Sequence, residues 1–257
     1  MDYALITGAS KGIGKAIAVE LANRKHNLIL IARTEALLRQ LCVELNKEYG
    51  VTANYFVIDL SLPGADKKIF TWCRQNEYSI NILVNNAGYG LSGLFESHSK
   101  EDNAAMLQVN MITLVQLCQT FLPLLKQQPR SYILNIASTA AFQAVPLLNL
   151  YAASKAFVLS FSRSLAYELK GSSVSVTCIN PGATDTDFPN RAMMNEKTKK
   201  NAEKLNMSPT AVAGIAVEAM FAGRREVTTG FINKLGSFFV WLLPKSLVEK
   251  TAANIYK

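Results

Sequence analysis

"YALITGASKGIGKAIAVEL", residues 3–21, decides how the rest of the chain is read. An apolar run over 3–7 ends in a turn with glycines at 8, 12 and 14. A helical pattern follows at once, with Ile13, Ile17, Ala18 and Leu21 on one side. Glycines in such a turn permit positive φ and let backbone N–H groups approach a ligand closely. The helix start then offers unpaired N–H groups and a partial positive charge to a pyrophosphate. A glycine pattern alone is weak evidence; between a strand and a helix it points to a dinucleotide. The plainer alternative is a tight turn with no ligand.

The same alternation continues. Strands are expected at "NLILIA" (27–32), "ANYFVID" (53–59), "NILVNNA" (81–87), "SYILNIAS" (131–138), "VSVTCIN" (174–180) and near 226–230. Helices are expected from Thr34 as N-cap to Gly50 as stop, near 64–77, 100–126 and 150–170, and from Ser208-Pro209 to Gly223. Apolar strands separated by helices predict a parallel sheet covered on both faces. With right-handed crossovers this is a doubly wound, Rossmann-type α/β fold of about seven strands. Its ligands lie at the carboxyl ends of the strands. With 257 residues and no linker-like stretch, one domain over 1–257 is expected.

Composition narrows the function classes. The net charge of +8 would suit anionic partners, but the basic residues are scattered apart from Lys197, Lys199, Lys200 and Lys204, and no nucleic-acid motif occurs. Cys42, Cys73, Cys118 and Cys178 fall in apolar patterns with no C-x-x-C pair and read as buried thiols of a reducing cytoplasm. With His26 and His98 the only histidines, no metal site is expected. A strand from Tyr3 leaves no room for a secretory leader, and "FFVWLLP" (238–244) is too short to span a bilayer.

Strand two ends in Arg33-Thr34, where an NAD site usually has an acid for the ribose 2′-hydroxyl. With Lys11 in the turn, two cations favour a 2′-phosphate, hence NADP(H) over NAD; Glu35 is the competing acid. "GASKG" also fits a nucleophile elbow, with Ser10, Asp59 and His98 in hydrolase order. An elbow after the first strand is out of place, so that reading is set aside.

"YAASK", Tyr151–Lys155, puts a phenol and an ammonium four residues apart on one helix face. A charge ~4 Å away at an effective dielectric of ~20 is worth about 4 kcal/mol, enough to bring a phenol from about 10 toward 7. Tyr151 would then suit general acid–base work. Ser138, at a strand end, could hold a substrate oxygen.

Together "TGASKGIG", "NNAG" (85–88), Asn110, Ser138, Tyr151-x-x-x-Lys155 and "PG" (181–182) resemble the short-chain dehydrogenases/reductases, over roughly residues 1–230. The resemblance implies a catalytic set: Tyr151 as proton donor, Lys155 tuning it and gripping the nicotinamide ribose, Ser138 orienting the carbonyl, Asn110 supporting a relay water. It also implies cofactor contacts from Gly8, Ser10, Lys11, Gly12, Ile13, Gly14 and Arg33, adenine contacts from Asp59 and Leu60, ribose-side contacts from Asn86, Ala87 and Gly88, and a nicotinamide border of Pro181, Gly182 and Thr186. Homodimers or homotetramers are usual in the family.

Phe142, Val145, Leu147, Leu148, Phe188 and Met193 offer an uncharged substrate wall, with Met194 and Met207 beside them in 183–207 as a covering loop. A lipophilic carbonyl or alcohol is therefore expected. A 3-oxoacyl carrier or CoA reductase, in which Lys197–Lys204 would meet an acidic partner, is an alternative, as is an NADP(H)-binding sensor without turnover. The tail 231–257 departs from the simplest family pattern. Packing over the site ranks first for it, then dimer contact, with peripheral membrane contact last; Ser246 would cap its short helix.

Overall fold

In a computed structural model, which describes residues 2–194, Glu196, Thr198 and 206–256, the apolar runs become β1 (Asp2–Thr7), β2 (Asn27–Ala32), β3 (Ala53–Val57), β4 (Ser79–Asn85), β5 (Ser131–Ile136), β6 (Val174–Asn180) and β7 (Glu226–Thr228). Among the described residues these form one seven-stranded sheet in the order β3-β2-β1-β4-β5-β6-β7. Every pairing is parallel. The doubly wound expectation holds. Three strands stop short of the sequence reading because Asp59, Asn86-Ala87 and Ser138 leave the ladder and turn to the rim of a cleft.

Helices cover both faces. On one side α1 (Gly12–Asn23), α2 (Glu35–Tyr49) and α8 (Pro209–Phe221) bury Ile17, Leu41 and Val217 against β1, β2 and β5. On the other, α3 (Ala65–Gln75), α5 (Thr113–Gln127) and α6 (Asn149–Glu168) bury Ile69, Phe121 and Val158. The expected helix near 100–126 is α4 (Lys100–Leu107) joined to α5 by a π-helical turn, Gln108–Ile112. By length and composition Lys100–Gln127 could cross a membrane. Leu117 and Phe121 instead pack into the second core. A short α7 (Phe188–Arg191) precedes α8, and α9 (Phe231–Leu242) and α10 (Lys245–Tyr256) close the chain.

The caps follow the sequence in part. Gly50 ends α2 in the left-handed conformation at φ 65°, and Ser208 caps α8 by accepting from the Ala211 N–H. Thr34 occupies the N-cap of α2 without a side-chain bond. Ser246 is no cap: α10 begins at Lys245, and Pro244 supplies the first carbonyls, to Leu247 and Val248.

A buried polar chain ties the sheet to α6. Asn85 Nδ2 donates to Asn135 Oδ1 at 2.9 Å, and Asn135 Nδ2 donates to Ser162 Oγ at 2.9 Å. All three side chains are buried. The chain spans β4, β5 and α6, the helix whose first turn carries Tyr151 and Lys155. Replacing Asn135→Ala would leave Asn85 and Ser162 short of partners in the core, so urea unfolding should show a loss of about 2 kcal/mol; an unchanged midpoint would mean that the chain holds nothing together.

Candidate active site

The chain moves outward from β1 to β3 and then returns to β4 on the other side of β1, which opens a crevice at the carboxyl ends of β1 and β4. Thr7 closes its floor. Its Oγ1 donates to Val84 O and accepts from the Asn86 and Ala87 N–H groups at 3.0 and 3.1 Å. Asn86 Nδ2 returns two bonds, to Thr7 O at 2.9 Å and Gly8 O at 3.2 Å. Gly8 and Gly12 stand at φ 66° and 56°. A Cβ on Gly8 would come within 2.9 Å of Ala87 Cα. One on Gly14 would run into the Gly8 carbonyl and the Asn86 amide.

The turn fits a dinucleotide. No side chain caps α1, and Gly12 and Ile13 of its first turn border the cleft, so helical N–H groups are presented to a phosphate. Gly14 does not border the cleft; its lack of a side chain serves the packing of α1 on Gly8 and Asn86.

The cleft, about 1090 Å³, runs from this turn to Tyr151 and Lys155. Lys155 is 4% exposed, and its Nζ donates to Ile136 O at 2.8 Å. The same Nζ lies 5.7 Å from the centre of the Tyr151 ring. One N–H is thus spent on the strand rather than the phenol. Burial, opposed only by Cys178, lowers the Lys155 pKa to about 8. A Cβ on Gly88 would come within 3.2 Å of that Nζ and 3.1 Å of Asn110 Oδ1, so a side chain there would crowd the ammonium. Tyr151 borders the cleft and packs on Phe188 at 5.0 Å. Ser138 begins the short 3-10 turn Thr139–Phe142, and its Oγ accepts from the Ala140 N–H at 3.1 Å.

The first 198 residues carry a matching signature: a family model described as short chain dehydrogenase covers residues 2–198. The chain belongs to the short-chain dehydrogenase family. It is an oxidoreductase fold with a nucleotide cofactor cleft, and known members of the family resemble it over most of its length. It is 30% identical over 241 residues to 17-beta-hydroxysteroid dehydrogenase type 3 of Mus musculus, covering 92% of this chain and 77% of that one. It is 36% identical over 185 residues to a very-long-chain 3-oxoacyl-CoA reductase of Anas platyrhynchos, covering 70% of this chain and 58% of that one. Among solved structures, a short-chain dehydrogenase from Sphingobium yanoikuyae in complex with NADPH superposes with a TM-score of 0.79 at 32% identity, over 89% of this chain and 87% of that one.

Within this dehydrogenase cleft the remaining expectations divide. Ser10, Lys11, Arg33, Asp59, Leu60, Asn86, Ala87, Gly88, Pro181, Gly182 and Thr186 all border it. Lys11 pairs with Asp187 at 3.3 Å, and Arg33 with Asp59 at 3.6 Å. Asn110 stands behind the wall: its amide is occupied by the Tyr89 backbone, which it bonds in both directions, and by Ser154 Oγ at 3.0 Å. Its bonds tie the loop after β4 to α6, and its side chain is not on the border of the cleft. Of the substrate wall, Val145, Leu148 and Phe188 line the cleft, whereas Phe142, Leu147 and Met193 do not. Phe142 packs, half-buried, against the second core, Leu147 sits at φ 66° with its carbonyl held by Gly93 N–H, and Met193 is 69% exposed. Met194 takes its place, 7% exposed. The cluster Lys197, Lys199, Lys200 and Lys204 lies outside the described residues. Among the described residues no cluster of metal-ligating side chains occurs, and all four cysteines are free and buried.

Sequence reading missed Arg191; for the tail it ranked packing over the site first, without naming the residues that do so. The Arg191 guanidinium sits 4.3 Å over the Tyr89 ring on the cleft border, its pKa lowered by burial first and Arg33 next. Ile232, Val240 and Ala252 line the cleft from α9 and α10. Neither carries a motif; tertiary contact alone places them.

Burying a charged lysine has a pH signature. Below about pH 8 Lys155 is charged in both folded and unfolded chains, and the full cost of burial is carried. Above it the folded chain releases its proton first, so stability from this group rises until the unfolded lysine also titrates near 10.5. Relative to Lys155→Met, the cofactor-free wild type should gain about 2 kcal/mol between roughly pH 7 and 9.5 in urea unfolding. A constant difference would show that the folded lysine keeps its ordinary pKa and stays charged across this range.

Proposed function

We propose that the protein transfers a hydride between NADP(H) and the carbonyl or secondary alcohol of a lipophilic substrate, with Tyr151 as general acid and base. The observation that carries this reading is the convergence of Tyr151, Lys155 and Ser138 on the cleft that the glycine turn opens. When bound, the reduced nicotinamide supplies the hydride taken up by a carbonyl carbon. Tyr151 gives the matching proton to the oxygen, so that C=O becomes CH–OH; the reverse reaction returns both. Ser138 accepts from Ala140 N–H, which orients its hydroxyl to donate to the substrate oxygen as charge develops there. Lys155, charged at neutral pH, favours the ionised phenol and replaces the proton's charge when Tyr151 gives it up. Because burial brings the lysine itself to about 8, this support fades in alkaline solution.

Arg33 supports NADP(H). It borders the cleft at the end of β2, while the competing Glu35 is turned to Arg39 at 2.8 Å and to the Tyr55 hydroxyl at 3.1 Å. The carboxylate is thus engaged away from a ribose hydroxyl. Arg33→Asp should move preference from NADPH toward NADH by roughly ten- to a hundredfold, the worth of a charged hydrogen bond; kcat/KM with each cofactor measures it, and an unmoved ratio would sink the assignment.

On the substrate side Val145, Leu148, Phe188, Met194, Val240 and Ala252 give an uncharged wall, with 183–194 as the covering segment and α9 and α10 as the far side. The relatives named for a hydroxysteroid and a very-long-chain 3-oxoacyl group support a bulky apolar substrate. The second of these favours a 3-oxoacyl thioester as a narrower reading. NADPH oxidation against aldehydes, ketones, steroids and acyl thioesters separates the two: catalytic efficiency should rise with apolar bulk, and preference for small hydrophilic carbonyls would refute both. Tyr151→Phe should lower kcat by about 10²–10⁴-fold yet leave NADPH binding within a few-fold. Binding without oxidation of any carbonyl by the wild type would instead identify a nucleotide sensor.

A further inference from the structure

Helix α9 is amphipathic in the wrong sense for a surface helix. Its inward face is small and polar: Asn233 donates to Thr229 O at 2.8 Å, a Cβ on Gly182 would run into Asn233, and Gly236, Ser237 and Val240 border the cleft. Its outward face carries the large apolar side chains. Phe231 is 79% exposed, Trp241 76%, Leu242 58%, Phe238 54% and Leu235 46%. In a 3.6-residue helix, positions 231, 235, 238 and 242 stack in one stripe. The stripe continues past the helix into Leu243 and Leu247, 39% and 49% exposed. Exposed apolar side chains packed this closely mark an interaction surface rather than scattered surface leucines.

The charge beside the stripe identifies what meets it. From 231 to 257 the sequence holds Lys234, Lys245, Lys250 and Lys257 against one acid, Glu249. Lys234 lies within α9, and Lys245 and Lys250 in α10. A second copy meeting this face by a two-fold axis would bring lysines of like charge together, with Glu249 alone to balance them. Anionic lipid headgroups neutralise them all. Twelve residues of α9 make about 18 Å of helix, too short to cross a hydrocarbon core of about 30 Å. A helix of this kind lies in the plane of the interface, with aromatic side chains among the acyl chains and lysines at the headgroups.

We propose that α9 docks the protein peripherally on an anionic bilayer, Phe231, Leu235, Phe238, Trp241 and Leu242 entering the acyl boundary. Membrane contact, the last-ranked role for this tail in the sequence, moves ahead of dimer contact because the charge beside the outward apolar face is nearly all of one sign. The small, polar face of the same helix stays on the cleft.

The test uses the full-length protein and vesicles of phosphatidylcholine with or without one-third phosphatidylserine. The protein should float with the phosphatidylserine vesicles and detach as salt screens the lysines. In a Trp72→Phe background Trp241 is the only tryptophan, and its emission should shift to the blue on binding. Phe238→Ser with Trp241→Ser should weaken partition about tenfold or more, with circular dichroism and NADPH binding unchanged. Lys234→Glu with Lys245→Glu should weaken binding to phosphatidylserine vesicles while leaving the apolar stripe intact. The proposal is overturned if the wild type does not float, if either variant pair floats as well as the wild type, or if sedimentation velocity shows an oligomer that the serine variants dissolve while vesicles capture nothing. Flotation reads lipid binding without turnover, so its failure leaves the reading of the cleft untouched.

Discussion

The reciprocal bonds between Thr7 and Asn86 hold the rest in place. They join the end of β1 to the end of β4 at the point where the chain reverses its direction of winding. Two backbone carbonyls, of Thr7 and Gly8, are satisfied by one amide, and two backbone N–H groups by one hydroxyl. Each would otherwise be a polar group short of a partner beside a core. The glycine turn is fixed from behind by this clasp, and its front is left bare for a ligand. Direction of hydrogen bonding, more than shape, is what the position specifies: an aspartate has Asn86's outline but would set an acceptor against two carbonyl oxygens.

From that clasp the geometry propagates through buried polar groups rather than through the apolar layers. Asn85, the neighbour of Asn86, begins the chain through Asn135 to Ser162 of α6. Asn110 binds Tyr89 and Ser154 of the same helix. Apolar contacts supply most of the stability of a fold of this size, but they tolerate sliding. Directional bonds from β4 and the π-helical turn to α6 fix where the first turn of α6 stands, and with it Tyr151 and Lys155. A π-helical turn at Asn110 fits this role, since an added residue re-aims a side chain without ending the helix.

The sheet was legible because β1 and β2 are nearly unbroken apolar runs and the other strands are mostly apolar between helical patterns, the trace that parallel strands buried on both faces leave. The cleft border was legible wherever a residue ends a strand, as with Gly8, Arg33, Asp59, Asn86, Ser138 and Pro181. Residues between elements were legible only in part: Lys11, Val145, Leu148 and Thr186 border the cleft as expected, and others do not. Met193 and Met194 differ by one position and by a complete reversal of exposure, which follows from a left-handed residue at Met193 with φ 55°; no periodicity encodes it. Phe142 read as a wall residue because it is apolar and near Tyr151, yet it stands in a 3-10 turn and packs, half-buried, against the second core. The distance from Lys155 to the phenol was read from helix spacing alone, which cannot see that Ile136 takes one of the three N–H groups.

The Lys11–Asp187 pair crosses from the nucleotide turn to the segment over the substrate side. Both side chains are more than half exposed, so the pair adds little to stability in salt. Its weight lies elsewhere. One ammonium cannot serve a carboxylate and an incoming phosphate at full strength, so whatever Lys11 contributes to holding a nucleotide is a difference between two rival partners. Removing the lysine erases both sides of that rivalry at once, and the measured loss understates how strongly the charge is felt by the phosphate.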